Sequence, residues 1–219
     1  MNRRSLTVLV AALAILGAFA VAVLVYQRGE RQQAAERATT HADSLTRPHS
    51  PVMGSATAPV TIVEFFDPAC ESCRAFYPYV KEILAAHPRD AKLVIRYVPF
   101  HGPASVEGVR ILEAARAQNK LLPVLEALME TQPVWAGHDA PAPQKAWDAA
   151  EAAGLNLEQA RAHVATGAAD KLLEQEVVDV KAVGIRATPT FFVNGKLLTG
   201  LSPSVLKEAV ATEAQRQRK

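Results

Sequence analysis

The 219-residue sequence predicts an α/β fold in which helices interrupt a small β-sheet. Two apolar segments rich in β-branched and aromatic residues, Val60–Phe66 and Lys92–Val98, flank a stretch whose apolar residues recur at helical spacing. Strand, helix and strand in this order predict a right-handed βαβ unit with its site at the carboxyl end of the first strand. Further along, Asn194-Gly195 between two apolar segments predicts a β-hairpin.

The amino-terminal residues 1–26 are interpreted as a membrane anchor or signal sequence. Residues 6–26 carry no charge, and a helix of that length can cross a bilayer core of roughly 30 Å. The triplet Ala18-Phe19-Ala20 fits signal cleavage, but cleavage there leaves an apolar stub, so we favour an uncleaved anchor. Arg3 and Arg4 predict a cytoplasmic amino terminus. We therefore expect an inner-membrane protein whose catalytic domain faces the periplasm, or a periplasmic protein if the signal is cleaved.

The rest of the chain divides into a linker and one domain. Residues 27–51 are polar and lack a repeated apolar pattern, which predicts a flexible stalk, with a self-associating helix over Gln27–Ala38 as the alternative. Residues 52–219 form the predicted globular domain, in a chain with 49% hydrophobic residues. The net charge of +2, with both signs mixed, gives no basic stripe, so the charge pattern does not support nucleic-acid binding.

The only two cysteines, Cys70 and Cys73, open the helix that follows the first strand and runs to about His87. At a helix start the first thiol faces unpaired N–H groups and the positive end of the helix dipole, which favours a thiolate. A thiolate with a second sulfur nearby makes a reversible two-electron redox pair. The alternatives are a zinc half-site, for which further ligands at suitable spacing are missing, and a structural bridge, which would restrain little of the chain.

A helical insertion is predicted over about residues 103–167, because this region is rich in Ala, Leu, Glu and Gln and is broken by prolines. An amphipathic helix follows it, and Ser202 with Pro203 predicts the start of a last helix. The predicted helices and hairpin strands cover residues 105–118, 121–131, 144–153, 157–165 and 169–183, then 190–193 and 196–198.

Three further positions complete a recognisable pattern. Glu64 stands six residues before the first cysteine, Pro78 stands five residues after the second, and Thr188-Pro189 precedes the hairpin. With the cysteine pair, they resemble the thioredoxin superfamily and, within it, the DsbA-like exported thiol–disulfide oxidoreductases, over about residues 51–211. The resemblance implies a thioredoxin fold with an inserted helical subdomain and a cis peptide bond before Pro189. An ordinary trans proline at the start of a strand is the alternative.

Roles for these residues follow from their positions and from the resemblance. Cys70, nearer the helix start, is expected to be the nucleophile and Cys73 the resolving partner, with no cofactor beyond their own redox-active disulfide. Glu64, buried beneath the cysteines, would carry a raised pKa and shuttle a proton to or from Cys73. Its alternative is a strand residue that reaches solvent at an edge. Thr188 and Pro189 are expected to bind an extended substrate by strand addition.

The residues between the cysteines, Glu71 and Ser72, are interpreted as tuning the redox equilibrium. Strong oxidants of the DsbA branch carry Pro-His there, and a carboxylate disfavours a neighbouring thiolate by like-charge repulsion. The sequence therefore predicts a pair less oxidising than DsbA. Asp67, just upstream, is interpreted as a second negative charge, and His101 as a surface or packing residue near the active-site face.

The expected function is thiol–disulfide exchange with cysteines of exported proteins, together with a membrane redox partner that resets the pair. Disulfide isomerase or reductase activity and reduction for cytochrome maturation are alternatives within the same chemistry. A different class of function, a membrane-tethered protein that binds unfolded chains or copper, also stays open because thiolates suit Cu(I) and Met53 could assist.

Overall fold

The computed structural model describes residues 3–40, 42–137 and 141–218, and its central sheet contains the predicted βαβ unit. The described elements are α1 (Arg3–Thr40), β1 (Val52–Gly54), β2 (Val60–Phe66), α2 (Glu71–Ala86), β3 (Ala91–Tyr97), α3 (Pro103–Ala117), α4 (Leu121–Trp135), α5 (Pro143–Ala152), α6 (Leu157–Ala165), α7 (Ala168–Val183), β4 (Thr190–Val193), β5 (Lys196–Leu197) and α8 (Pro203–Gln217).

The strands form one mixed sheet in the order β1-β3-β2-β4-β5. Strands β2 and β3 are parallel, from Val60 beside Ala91 to Phe66 beside Tyr97, as the βαβ prediction requires. Strand β4 runs antiparallel to β2, and the Asn194-Gly195 turn connects it to β5. The short edge strand β1 was not predicted, because three residues are too few to show a period-2 pattern.

The two faces of the sheet pack against different helices. Alternate residues of β2 point to opposite sides: Ile62 and Phe66 join the larger apolar core with α2 and the helical insertion. Val63 and Phe65 join a second, smaller core with α7. The cysteines belong to the first face, so the insertion covers the side of the sheet on which the chemistry lies.

The helical insertion is present, but α4 extends beyond the predicted end at residue 131. The helix continues through Pro133 to Trp135. A proline near the carboxyl end of a helix removes one hydrogen bond in the last turn only, so its cost is limited. Trp135 is fully buried and its indole N–H donates to the Leu128 carbonyl at 2.9 Å, which holds this last turn in the core.

Residues 27–40 form a helix in the structure, which is the alternative to the flexible stalk. Helix α1 continues to Thr40, because Ala, Gln, Glu and Arg are good helix formers and no proline occurs before Pro48. The last residues of the segment pack on the domain, since Leu45 and Ser50 are buried. Within α1, Ala12–Gly29 is long and apolar enough to cross a membrane.

Ion pairs attach this amino-terminal segment to α7. Arg96 of β3 is fully buried and contacts Glu176 at 2.9 Å and Asp179 at 2.7 Å. Arg47 contacts Asp179 at 2.6 Å, and His49 lies 3.0 Å from Glu176. The guanidinium of Arg96 also lies over the ring of Phe65, which places the ion pairs on the sheet face away from the cysteines.

Candidate active site

The two cysteines lie at the carboxyl end of β2, where the chain turns into α2. Cys70 is the N-cap residue of α2, and its extended backbone (φ −81°, ψ 121°) is typical of that position. A tight turn precedes it, because the Cys70 N–H donates to the Asp67 carbonyl at 3.1 Å. Both thiols are unlinked and buried, Cys70 at 6% exposure and Cys73 at 0%.

Cys70 is in an environment that favours its thiolate. Its pKa is lowered to about 5, first by a hydrogen bond from the Cys73 side chain. The Thr188 side chain and the backbone N–H groups of Ser72 and Cys73 lower the pKa further, while burial opposes them. The helix start therefore supplies donors to the sulfur, as its position in the sequence predicted.

Cys73 is in the opposite electrostatic situation. Burial raises its pKa well above the ordinary value, and the neighbouring Cys70 and Glu64 raise it as well. Its sulfur accepts a weak hydrogen bond from the Asp67 N–H at 3.5 Å. At neutral pH the pair thus holds one proton on Cys73 and a negative charge on Cys70.

Glu64 lies beneath this pair on the same face of the sheet. It is 4% exposed, and β2 is a central strand with neighbours on both sides, so the alternative of an exposed edge residue is wrong. Burial, and then the charge of Cys70, raise the pKa of Glu64 to about 8. A carboxyl with this pKa can both give and take a proton near neutral pH.

The Thr188-Pro189 peptide bond is cis, so the prediction from the resemblance is confirmed and the trans alternative is wrong. Cys70 Sγ lies 3.3 Å from the Thr188 carbonyl oxygen, which brings this loop against the reactive sulfur, and the thiol donates to that oxygen when it is protonated. Thr188 is half-buried, Pro189 is buried, and the tuning candidates Glu71 and Ser72 are exposed.

An apolar groove of about 350 Å³ runs beside the cis-proline loop. It is lined by the loop itself, by the hairpin β4–β5 and the segment after it, by the end of α7 and by Gln33 of α1. Among the lining residues are Ile185, Ala187, Pro189, Phe191, Leu198 and Leu201. The groove is therefore suited to apolar side chains of an extended polypeptide.

Asp67 has a role that the sequence interpretation missed. It is fully buried, and its Oδ2 atom accepts hydrogen bonds from the backbone N–H groups of Phe100 and His101 at 2.9 and 3.1 Å. The same oxygen lies 2.7 Å from His101 Nδ1 and 2.9 Å from Ser105 Oγ. Asp67 thus joins the loop before Cys70 to the loop after β3, and is not simply a second charge beside the thiolate.

A second missed residue is Gln132 of the helical insertion. Its side chain is buried and donates hydrogen bonds to the Pro68 and Cys70 carbonyls. A lone glutamine in an amphipathic helix carries no signal in a single sequence, because most glutamines there face solvent.

The described residues do not support the alternatives of a zinc or a copper site. Within residues 3–40, 42–137 and 141–218, no group of three or more His, Cys, Asp or Glu side chains is arranged to hold a metal ion. Met53 lies on the edge strand β1 and packs against the larger apolar core.

Comparison with known proteins identifies relatives of this arrangement. A family model described as thioredoxin matches residues 46–212. A thioredoxin-like oxidoreductase from Silicibacter pomeroyi DSS-3 is 30% identical, with a TM-score of 0.68 over 81% of this chain and 98% of that one. BdbD from Bacillus subtilis is 26% identical, with a TM-score of 0.68 over 76% and 93% of the two chains. The thiol-disulfide exchange protein alpha-DsbA2 from Wolbachia pipientis, at 17% identity, shares the fold with a TM-score of 0.69 over 84% and 97%.

Curated relatives include much longer proteins. The Na(+)/H(+) antiporter NhaA of Herminiimonas arsenicoxydans is 30% identical over 149 residues, which is 68% of this chain and 23% of that protein. An antiporter NhaA 1 of Mycobacterium sp. (strain KMS) is 29% identical over 161 residues, or 70% and 25%. The chain thus spans about a quarter of the length of these relatives.

Proposed function

Since the chain belongs to the thioredoxin family, we propose that it is a DsbA-like protein thiol:disulfide oxidoreductase, which exchanges disulfides with cysteines of exported proteins through Cys70 and Cys73. The observation that carries the proposal is the asymmetry of the pair. Cys70 favours a thiolate and Cys73 keeps its proton, although one helical turn separates them. A structural disulfide has no need of this difference, whereas an exchange reaction depends on it.

In the oxidising direction the reaction consists of two displacements at sulfur. A substrate thiolate attacks Cys70 Sγ of the oxidised pair, so the Cys70–Cys73 bond breaks and Cys73 leaves with the electron pair of that bond and takes up a proton. The second substrate thiolate then attacks the substrate sulfur of the mixed disulfide and releases Cys70 as a thiolate. The substrate loses two electrons to form its disulfide, and the protein gains them as two thiols. The reducing direction is the reverse of these steps.

The first displacement requires a proton for the Cys73 sulfur, and we propose that Glu64 supplies it. Cys73 is a poor leaving group as a buried thiolate, because its pKa is raised by burial. Burial is the larger cause of the raised pKa of Glu64 and does not depend on the Cys70 thiolate, so we expect Glu64 to hold its proton beside the oxidised pair and to transfer it to Cys73 as the sulfur–sulfur bond breaks. In the reverse direction Glu64 removes that proton.

The pair is proposed to be less oxidising than DsbA. The Cys70 pKa of about 5 falls between the values of roughly 3.5 for DsbA and about 7 for thioredoxin. Stabilisation of the reduced form by the thiolate sets the reduction potential, so we expect a potential between about −120 and −270 mV. Equilibration of the soluble domain with glutathione buffers measures it, and a potential as high as that of DsbA would contradict the proposal.

The substrates and the membrane partner are proposed from the groove and from α1. The backbone N–H of Thr188 makes no backbone hydrogen bond within the described residues, so it can pair with an extended chain beside the groove. We propose an inner-membrane anchor formed by α1 and a catalytic domain in the periplasm, where a membrane redox partner resets the pair.

A trapping experiment tests this function. Cys73→Ser should accumulate mixed disulfides with substrates in cells, since nothing within the protein can displace the substrate from Cys70. Cys70→Ser is the matched control and should accumulate none. Trapping by the control instead of Cys73→Ser would reverse the two roles, and trapping by neither would contradict thiol–disulfide exchange. Refolding of a reduced substrate, compared with reduction of an oxidised one and reshuffling of a scrambled one, then distinguishes oxidase, reductase and isomerase activity.

A further inference from the structure

The helical insertion reaches the backbone of the reactive cysteine through one buried side chain. Gln132 of α4 is 1% exposed. Its Nε2 donates to the Pro68 carbonyl at 2.8 Å and to the Cys70 carbonyl at 3.0 Å. Its Oε1 accepts a hydrogen bond from Arg74 Nε at 3.2 Å. We refer to these four residues, Gln132, Pro68, Cys70 and Arg74, as the glutamine clamp.

The chemistry of the partners fixes the orientation of the amide. Backbone carbonyls only accept hydrogen bonds and a guanidinium only donates them, so Nε2 must face Pro68 and Cys70 while Oε1 faces Arg74. Both hydrogens of the amide group are used. Burying an amide is unfavourable unless its hydrogen bonds are made, and here they are made entirely to the active-site segment.

The neighbours of Gln132 show that packing alone does not require a polar residue there. Leu125, Leu128 and Met129 of the same helix are buried in the larger apolar core. The Pro68 carbonyl, in contrast, has no other hydrogen-bond partner within the described part of the chain. An apolar residue at position 132 would leave that buried carbonyl unsatisfied, which is unfavourable.

The Cys70 carbonyl is the point at which the clamp acts on the chemistry. As the N-cap carbonyl of α2 it already accepts from the Arg74 N–H at 3.1 Å, and Gln132 provides its second hydrogen bond. Two donors from different elements fix the Cys70–Glu71 peptide plane. This plane determines how the following N–H groups point at the sulfur of Cys70.

We propose that Gln132 is a positioning residue for thiol–disulfide exchange, which holds the Cys70 backbone in its reactive N-cap conformation and links that conformation to the docking of α4. The inference rests on the proposed function for its biological meaning. The effect of the Gln132 amide on the reactivity of the Cys70 sulfur can be measured without any substrate.

The test uses two uncharged substitutions. Gln132→Met removes all three hydrogen bonds, and Gln132→Asn keeps the amide but shortens the side chain by one methylene, so that it no longer reaches both carbonyls. In each variant we expect the Cys70 thiol to titrate at a pH at least one unit higher than in the wild type. That shift corresponds to a tenfold lower thiolate fraction below the titration midpoint. The thiolate is followed by its ultraviolet absorbance, and urea unfolding of each variant confirms that it is folded.

A merely structural role would give a different result. Gln159→Met on α6 is the matched control, since Gln159 is exposed and its substitution should leave the Cys70 titration unchanged. If the Gln132 variants lose stability but titrate like the wild type, the inference is wrong. Should Gln132→Met not fold, Gln132→Asn, which keeps an uncharged amide at this position, decides the question.

The proposed function and the inference can fail separately. Exchange with a model disulfide is measured on the wild type in the same series. If the wild type exchanges and the Gln132 variants match it in rate and titration, only the inference fails. If the wild type does not exchange, the proposed function fails, and the Cys70 titration still reports on the clamp.

Discussion

Replacing Glu64 with glutamine should stabilise the reduced protein by an amount that grows with pH. The carboxyl has a pKa of about 8 in the folded chain, against an ordinary value of 4.5 that applies after unfolding. Between these two values the unfolded chain has released a proton that the folded chain still binds. The contribution of Glu64 to the free energy of unfolding is therefore fully present below the lower pKa. It is lost progressively as the pH rises from the lower pKa to the upper one.

The magnitude follows from the difference between the two values. One pKa unit corresponds to about 1.4 kcal/mol, so ionised Glu64 reduces the free energy of unfolding by about 5 kcal/mol once the pH exceeds its folded pKa. At neutral pH the loss is about 3 kcal/mol, and below the ordinary pKa it disappears. Glutamine has nearly the same shape and no charge, so Glu64→Gln should recover these amounts. It should also slow exchange, because the proton donor for Cys73 is lost.

Urea unfolding of both proteins under reducing conditions, at several pH values between about 4 and 9, measures this difference. Repeating the pair in a Cys70→Ser background removes the charge of the thiolate and leaves the effect of burial, the larger cause of the raised pKa. Glu174→Gln is the matched control, since Glu174 is exposed on α7. A difference between Glu64→Gln and the wild type that does not change with pH would refute the reasoning.

Three more outcomes are expected. Alkylation of Cys70 should proceed at a constant rate above about pH 6 and fall tenfold per pH unit below about pH 5, because only the thiolate reacts. Gly108→Ala should lower the free energy of unfolding by about 1–3 kcal/mol in urea, because the new Cβ would lie 2.8 Å from Pro68 Cγ. Arg96→Met should cost about 3–5 kcal/mol in the same assay, since Glu176 and Asp179 would lose the fully buried cation between them and keep only the partly exposed His49 and Arg47.

A different result would contradict each of these three predictions. A rate profile for Cys70 centred near pH 8.5 would show an ordinary thiol. Alanine for glycine inside a helix normally stabilises by up to about 1 kcal/mol, so a more stable Gly108→Ala would rule out the close contact with Pro68. For Arg96, the control is Lys207→Met, which breaks an exposed ion pair and should cost less than about 1 kcal/mol. If Arg96→Met and Lys207→Met lowered the free energy of unfolding equally, burial would not be the reason that the Arg96 ion pairs matter.

The sequence predicted the parts of the site that depend on local spacing. The cysteines open α2 directly after β2, and the peptide bond before Pro189 is cis. Glu64 is buried on the face of the cysteines, because alternation along a strand determines its side. The position of the cysteines and the burial of Glu64 follow from strand and helical patterns, whereas the cis bond was predicted only from the resemblance to the thioredoxin superfamily.

The missed features depend on contacts between residues distant in sequence. Gln132 lies 62 residues from Cys70, and nothing in the pattern of α4 distinguishes it from a surface residue. Asp67 was interpreted as a charge because its hydrogen-bond donors come from a loop about 33 residues away. Residues 27–40 were taken as flexible because they lack an apolar stripe, although their helix propensity alone favours α1.

The ion pairs of Arg47 and Arg96 lie on the opposite side of the sheet from Cys70. Among the described residues, the side chains that attach the amino-terminal segment are therefore not those that surround the two sulfurs, and the sheet separates the two sets.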